Sequence, residues 1–292
     1  MNTKFLITAD SNRSALLKKK IIHYYIANGD ATIAELCKEM DLSIPTVTKL
    51  VGELLDDGYI LDFGKQETNG GRKPNIYGLN PVSGYFVGVD VFRSKINIAA
   101  VDFKGDKLRV EENIPYSLEN TPEALEMLCN LINDFIDRLS VPREKVLAVG
   151  VNISGRVNPV SGYSYSIFYF EEKPLSQILE ERINIKIYIE NDTRAMMYGE
   201  YMQGVVKGEK NILFINMGWG LGLSIFINGE LYYGKSGFSG EFGHFCFFDN
   251  EILCHCGKKG CIETEASGSA LHRKLLERYR ECSSTILAEK IE

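Results

Sequence analysis

The chain has 292 residues, 45% of them hydrophobic and 25% charged, an ordinary globular composition that suggests about two domains and excludes a low-complexity or fibrous chain. No apolar run of about 18 residues occurs, so no helical membrane span and no membrane partner are expected. The net charge of −6 argues against nucleic acid until it is divided: residues 1–80 balance 10 basic against 10 acidic side chains, and residues 81–292 carry the whole excess. DNA binding needs local positive charge, not a basic whole, so charge excludes neither partner. The opening MNTKFLITADSNRSALLKKK lacks the basic-then-apolar order of a secretory signal, and a cytoplasmic location is the expectation.

In chain order, residues 13–28 read as a helix, with Leu16, Leu17, Ile21, Ile22, Tyr25 and Ile26 at helical spacing and Gly29 as its stop. Thr32 starts a second helix, with Glu35 three residues on as in a capping box. Ser43 caps a third helix that runs to Asp57, with Pro45 in its first turn, where a missing N–H costs nothing. Two short apolar stretches, residues 59–63 and 76–79, flank the glycine-rich, charged run GKQETNGGRKPN. Three helices and a wing within 80 residues are the pattern of a winged helix-turn-helix. Ile44, Val47, Leu50, Leu54 and Leu55 supply the apolar side of the third helix. Ser43, Thr46, Thr48 and Lys49 supply its polar side, which suits entry into a major groove. Arg72 and Lys73, beside Gly70-Gly71, are placed to reach a phosphate or a minor groove. The competing reading of 1–80 is a small helical domain for protein contacts.

Asn80-Pro81 marks a boundary, so the expected domains are 1–80 and 81–292. Beyond it come three strands in hairpin order, from FVGVDVF through KINIAAVDF to KLRVEENIPY. A helix at about 121–139, a strand at 146–153, a helix at 171–182, a strand at 185–189 and a helix at 193–206 follow. Strands at 211–216 and 221–227 and a helix at 267–290 complete the series. Strands alternating with helices indicate an α/β domain.

Of seven cysteines, Cys254, Cys256 and Cys261 cluster, and a tight cluster in a cytosolic chain reads as a metal site before it reads as disulfides. With His244 they offer three thiolates and an imidazole, the donor set of one closed, structural, tetrahedral Zn²⁺ site. Gly257 and Gly260 let the chain fold back for Cys261, and His255, between two ligands, is expected to point away. The competing reading is a cluster of reduced thiols without metal.

These motifs resemble the ROK family of repressors, open reading frames and kinases. Cys254-x-Cys256-Gly257-x-x-Gly260-Cys261-x-Glu263 fits that family's zinc signature at every fixed position, and Glu241-Phe242-Gly243-His244 fits its Glu-x-Gly-His motif. Asn191-Asp192, followed by Ala195 and Gly199-Glu200, resembles its Asn-Asp segment, and Gly218-Trp219-Gly220-Leu221-Gly222 resembles its second phosphate loop. The match covers roughly residues 81–280, and a winged helix in front is the arrangement of the family's regulators. The resemblance implies an actin-like, ribonuclease-H-like sugar-kinase domain, and sugar ligands at Asn191, Asp192, Glu241, His244 and Glu263. His244 would hold zinc with one nitrogen and face the sugar with the other. ROK domains continue for on the order of another hundred residues, so the C-terminal part of the domain is expected to be missing here.

Two departures bear on activity. Where ROK kinases carry Asp-x-Gly-Gly-Thr-Lys for the ATP phosphates, this chain has Asp90-Val91-Phe92-Arg93-Ser94-Lys95, so side chains replace both glycines and block close backbone approach. The family's Pro-Gly near the sugar appears as Ser154-Gly155. Asp192, the family's general base, remains as a sugar ligand. The expectation is a regulator, a repressor rather than an enzyme, that responds to a sugar or sugar phosphate. It would bind operator DNA as a homodimer or higher homo-oligomer, since two half-sites call for a two-fold pair. The alternative is an ATP-dependent hexose or N-acetylhexosamine kinase.

Overall fold

The computed structural model of the protein describes residues 12–65 and 74–281. They form two compact units. One holds the residues up to Val151 together with Phe170–Tyr188, and the other holds Asn152–Tyr169 and the residues from Ile189 onward. The boundary expected at residue 80 lies inside the first unit.

The first unit opens with α1 (Arg13–Asn28), β1 (Ala31–Thr32), α2 (Ile33–Met40) and α3 (Ile44–Asp56), followed by β2 (Ile60–Lys65) and β3 (Asn75–Leu79). The capping box is present. The Thr32 N–H donates to Glu35 Oε2 at 2.8 Å, and the Glu35 N–H donates back to Thr32 Oγ1 at 3.3 Å. Ser43 does occupy the N-cap of α3, but its hydroxyl bonds Thr46 Oγ1 at 2.8 Å and no backbone N–H. Val47, Leu50 and Leu54 are buried as expected, whereas Ile44 is 63% exposed, because it lies in the first turn ahead of the packed face. Leu16 and Ile26 of α1 likewise face outward. The two-residue strand β1, too short to show an alternation, pairs antiparallel with β3 and makes the wing sheet three-stranded in the order β1-β3-β2. Arg72 and Lys73 lie outside the described residues.

A five-stranded sheet follows in the order β10-β7-β4-β5-β6. Its strands are β4 (Tyr85–Val91), β5 (Lys95–Asp102), β6 (Lys107–Pro115), β7 (Val146–Ile153) and β10 (Ile187–Asn191), and the chain passes to the second unit within β10. Alternate residues of β4 and β5, among them Val87, Val89, Ile96 and Ile98, are buried. Helices α4 (Pro122–Asp137) and α5 (Leu175–Ile183) contact each other and bury Leu128, Ile132, Phe135 and Leu179. The α5 helix begins at Leu175 rather than 171, with Pro174 at its N-cap.

The winged helix does not hang from a linker. Tyr59 packs on Phe103 with ring centroids 5.6 Å apart, Phe103 stacks on Phe86 at 6.1 Å, and Leu147 joins the same core as Ile21, Leu36 and Leu54. The Asn80 amide donates to the Gly58 carbonyl at 2.9 Å, and the Phe103 N–H donates to the Pro81 carbonyl at 3.2 Å. Head and first sheet therefore share one apolar core.

The second unit carries a short hairpin of β8 (Val157–Asn158) and β9 (Tyr163–Ser164), then α6 (Asp192–Gln203). A three-stranded sheet follows, made of β11 (Ile212–Met217), β12 (Leu221–Ile227) and β13 (Glu230–Leu231), with β12 in the middle. A 3-10 turn at Glu241–His244, α7 (Glu263–Ala266) and α8 (Gly268–Glu281) complete it. The edge strand β11 turns Leu213, Ile215 and Met217 outward, an uninterrupted apolar stripe. No helix of the described residues is long and apolar enough to cross a membrane.

Candidate functional site: a cysteine-histidine cluster and nearby carboxylates

His244 Nδ1 and the sulfurs of Cys254, Cys256 and Cys261 lie within 4.8 Å of one another. Two edges of this cluster measure 3.5 Å, from His244 Nδ1 to Cys254 Sγ, and 3.6 Å, from Cys256 Sγ to Cys261 Sγ. A tetrahedron with Zn–S near 2.3 Å and Zn–N near 2.0 Å has edges of about 3.5–3.8 Å, and these two edges fit it. The electrostatics agree. Burial and the neighbouring sulfurs push the Cys261 thiol up to about 12, and burial also raises Cys254, whereas hydrogen bonds from the Lys258 backbone and the two neighbouring cysteines lower Cys256, so Cys256 ionises first and the other two resist it without a cation between them. Burial lowers His244 from its ordinary value, which favours the neutral imidazole that a metal ligand requires.

The loop is built by backbone. Cys254 N–H bonds the Lys258 carbonyl at 2.8 Å, and Gly257 N–H bonds the Cys254 carbonyl at 2.9 Å, closing a tight turn. Gly260 sits at φ +74°, and a Cβ there would lie 2.2 Å from the Phe248 carbonyl oxygen, so only glycine fits. His255 does not simply point away. Although its side chain is 73% exposed, its Nδ1 reaches Glu263 Oε1 at 3.0 Å.

Glu263 links the cluster to the rest of the site. It is buried, and its Oε2 accepts the Leu221 N–H at 2.8 Å. Gly220 makes room for it, since a Cβ at that position would stand 2.8 Å from Glu263 Oε2. The loop Gly218–Gly222 is thereby tied to the segment that follows the clustered cysteines. It is also tied to the start of α8, whose Gly268 and Ser269 N–H groups donate to the Gly218 and Trp219 carbonyls.

Asn191 caps α6: its Oδ1 accepts the Arg194 N–H at 3.1 Å, and its Nδ2 donates to the Gly155 carbonyl at 3.0 Å. Asp192 Oδ1 accepts from the Thr193 N–H at 2.7 Å and from Asn191 Nδ2 at 3.0 Å. Burial nonetheless raises its pKa above the ordinary Asp value. Glu241, in the 3-10 turn with His244, accepts from Arg156 Nε at 3.2 Å. Asn191, Asp192, Glu241, His244 and Glu263 thus all belong to the second unit, with Asn191 bonded to Gly155 and Glu241 to the adjoining Arg156. Two carboxylates, an acid of raised pKa, an amide and an imidazole offer directional bonds to paired hydroxyls.

Inspection of the sequence missed Arg156, Glu190, Arg194 and Tyr233. Arg194 is 4% exposed and bonds Glu190 Oε1 at 2.6 Å. In sequence, Arg194 falls at the start of a predicted helix and Glu190 at the end of a strand, and nothing in that placement gives a sign of burial.

In the first unit, Ser43, Thr46, Thr48 and Lys49 are all exposed on one helix, and the Lys49 ammonium stands 3.9 Å from Glu53. The hairpin at Asp90–Lys95 closes on itself. The Phe92 N–H donates to the Lys95 carbonyl at 2.9 Å, and the Lys95 ammonium bonds Asn113 at 2.7 Å and lies over the Phe92 ring. That amide is not left for a phosphate.

A model of the ROK family matches residues 86–292, most of the chain. The chain belongs to the ROK family. Residues 16–60 match a model described as winged helix-turn-helix DNA-binding. The chain is similar to the xylose repressor of Bacillus subtilis strain 168, with 29% identity over 268 residues, 91% of this chain and 69% of the relative. Among solved structures, a ROK family transcriptional regulator described as a homolog of the E. coli MLC protein matches with TM-score 0.73 and 24% identity. That match covers 94% of this chain and 70% of the other, and it shows the fold, winged helix included. A ROK family glucokinase from Streptomyces griseus, in complex with glucose and AMPPNP, matches with TM-score 0.60 and 30% identity over 68% of this chain and 62% of its own.

Proposed function

We propose that this ROK protein is a sugar-responsive transcriptional regulator, a repressor that binds operator DNA through its winged helix and a sugar or sugar phosphate through its second unit. The observation that carries the reading is the pairing, on one chain, of a helix with an exposed polar face (Ser43, Thr46, Thr48, Lys49) and a second unit that holds Asn191, Asp192, Glu241 and Glu263 together with a cluster of His244 and three cysteines. Both a repressor and a glucose-bound kinase of the family are similar to this chain, and the closed Asp90–Lys95 hairpin favours the repressor. His244, Cys254, Cys256 and Cys261 hold one structural Zn²⁺, which fixes the loop that carries His244 beside Glu263. Arg72 and Lys73 grip the DNA backbone or minor groove, and a homodimer or higher homo-oligomer presents two helices to two half-sites.

The reading is tested by a thermal-shift screen against xylose, glucose, N-acetylglucosamine and their phosphates. A sugar at 100 times its Kd stabilises the fold by about 2.7 kcal/mol, well above detection. Absence of any shift across the panel contradicts the sugar site. A coupled assay showing ATP-dependent phosphorylation on the order of 1 s⁻¹ contradicts the regulator reading.

A further inference from the structure

Arg194 is a cation placed where the second unit has little water. It lies in the first turn of α6, its side chain is 5% exposed, and its guanidinium spends three N–H groups on three different pieces of chain. Nε bonds Glu190 Oε1 at 2.6 Å, one Nη bonds the Gly237 carbonyl at 2.8 Å, and the other bonds the Val157 carbonyl at 2.7 Å. Tyr233 completes the group: its ring lies under the guanidinium at 5.2 Å, and its hydroxyl donates to Glu190 Oε2 at 3.0 Å. Glu190 Oε1 also accepts the Asn191 N–H at 2.7 Å.

Each tethered segment leads to one of the proposed sugar ligands. Val157 follows Arg156, whose Nε holds Glu241. Gly237 lies four residues before Glu241, and the Ser236 carbonyl beside it accepts Asn158 Nδ2 at 3.3 Å. Glu190 precedes Asn191 and Asp192. A buried ion pair adds little net stability over a well-packed apolar substitute, because desolvation offsets its attraction. Its contribution lies in direction, since the rigid fork fixes three strands of chain at set distances.

We infer that Arg194, with Glu190 and Tyr233, is the positioning residue of the proposed sugar site, holding Asn191-Asp192, Arg156 and Glu241 in register for a polyhydroxylated ligand that it does not itself touch. The inference rests on the sugar-site reading above. It makes Arg194 a determinant of ligand affinity, separable from the fold and from the zinc cluster. A lysine in its place keeps the charge and reaches one acceptor, leaving at least one of the two carbonyls without its donor.

The test compares the zinc-loaded full chain with Arg194→Lys and Tyr233→Phe. The probe is whichever of xylose, glucose, N-acetylglucosamine or N-acetylglucosamine 6-phosphate binds the unaltered protein. Calorimetry is run at a temperature where circular dichroism shows each variant folded, with zinc content measured alongside. Arg194→Lys is expected to raise Kd about 10- to 100-fold, the usual loss when an outer partner of a binding group is removed. Tyr233→Phe is expected to raise it about 3- to 10-fold, the effect of one hydrogen bond. Zinc content stays unchanged, and hydrogen exchange speeds up at residues 155–158, 190–194 and 236–241 with no change in the five-stranded sheet. Sugar affinity equal to that of the unaltered protein in either folded variant overturns the positioning role while leaving the sugar site standing. No binding of any probe to the unaltered protein overturns both.

Discussion

Asp192 is ionised at a cost. Burial raises its pKa above the ordinary Asp value despite the Thr193 and Asn191 donors, so the folded chain keeps that proton to higher pH than the unfolded chain does. The stability contributed by this group is therefore full below the ordinary Asp value and lost as pH rises through the folded value. Asp192→Asn is expected to raise the urea midpoint at pH 7, with the gain fading in acid, where Asp192 is itself protonated. The same change should weaken sugar binding by about 1–3 kcal/mol, because a hydroxyl donor loses its anionic acceptor. A variant that loses stability at pH 7, or that binds sugar unchanged, contradicts this role. Cys256→Ser is expected to reduce bound zinc from one equivalent per chain and to weaken sugar binding as well, since Glu263 and His244 sit on the clamped segment. Metal analysis and calorimetry on one preparation check both. The grouping of His244 with Cys254, Cys256 and Cys261 was legible in the sequence, because the close spacing of the cysteines and the glycines between them bring the side chains together. Arg194 was not, because burial of a helical arginine depends on Val157 and Gly237, residues 37 and 43 positions away in the chain.

At the scale of elements, α3 and the wing should fail differently. Thr46→Val is expected to change which DNA sequences are preferred, at about 1–3 kcal/mol per misread base pair. Arg72→Ala is expected to weaken binding to all sequences and to lower the salt slope by about 1, through loss of one phosphate contact. A selection from random duplexes, followed by titration at several salt concentrations, separates the two. Most elements were readable from periodicity and stop signals: α1, α3, the hairpin strands and β7 stand where the apolar pattern puts them. The pattern missed β1, β8 and β13, two-residue strands held by their partners and not by any alternation of their own. It also put Ile44 on the packed face, because periodicity does not say at which turn packing begins.

On the scale of the whole molecule, the Asn80-Pro81 punctuation falls inside the first compact unit, between the winged helix and the first sheet. The winged helix and the first sheet share a core through Tyr59, Phe86, Phe103 and Leu147, whereas the proposed sugar ligands belong to the other unit. Phe103→Ala is expected to cost about 3–5 kcal/mol. It should lower hydrogen-exchange protection in α3 and β5 together; loss in one without the other would contradict a shared core. Sugar control requires that the ligand bind DNA-competent and DNA-incompetent arrangements with different affinity. The most direct test is a fluorescence-anisotropy titration of the zinc-loaded chain onto its selected duplex, with and without a saturating concentration of the sugar that shifts its melting temperature. The account predicts a change in Kd of about 5- to 150-fold, the usual range of coupling between two sites. The same Kd in both titrations would contradict it.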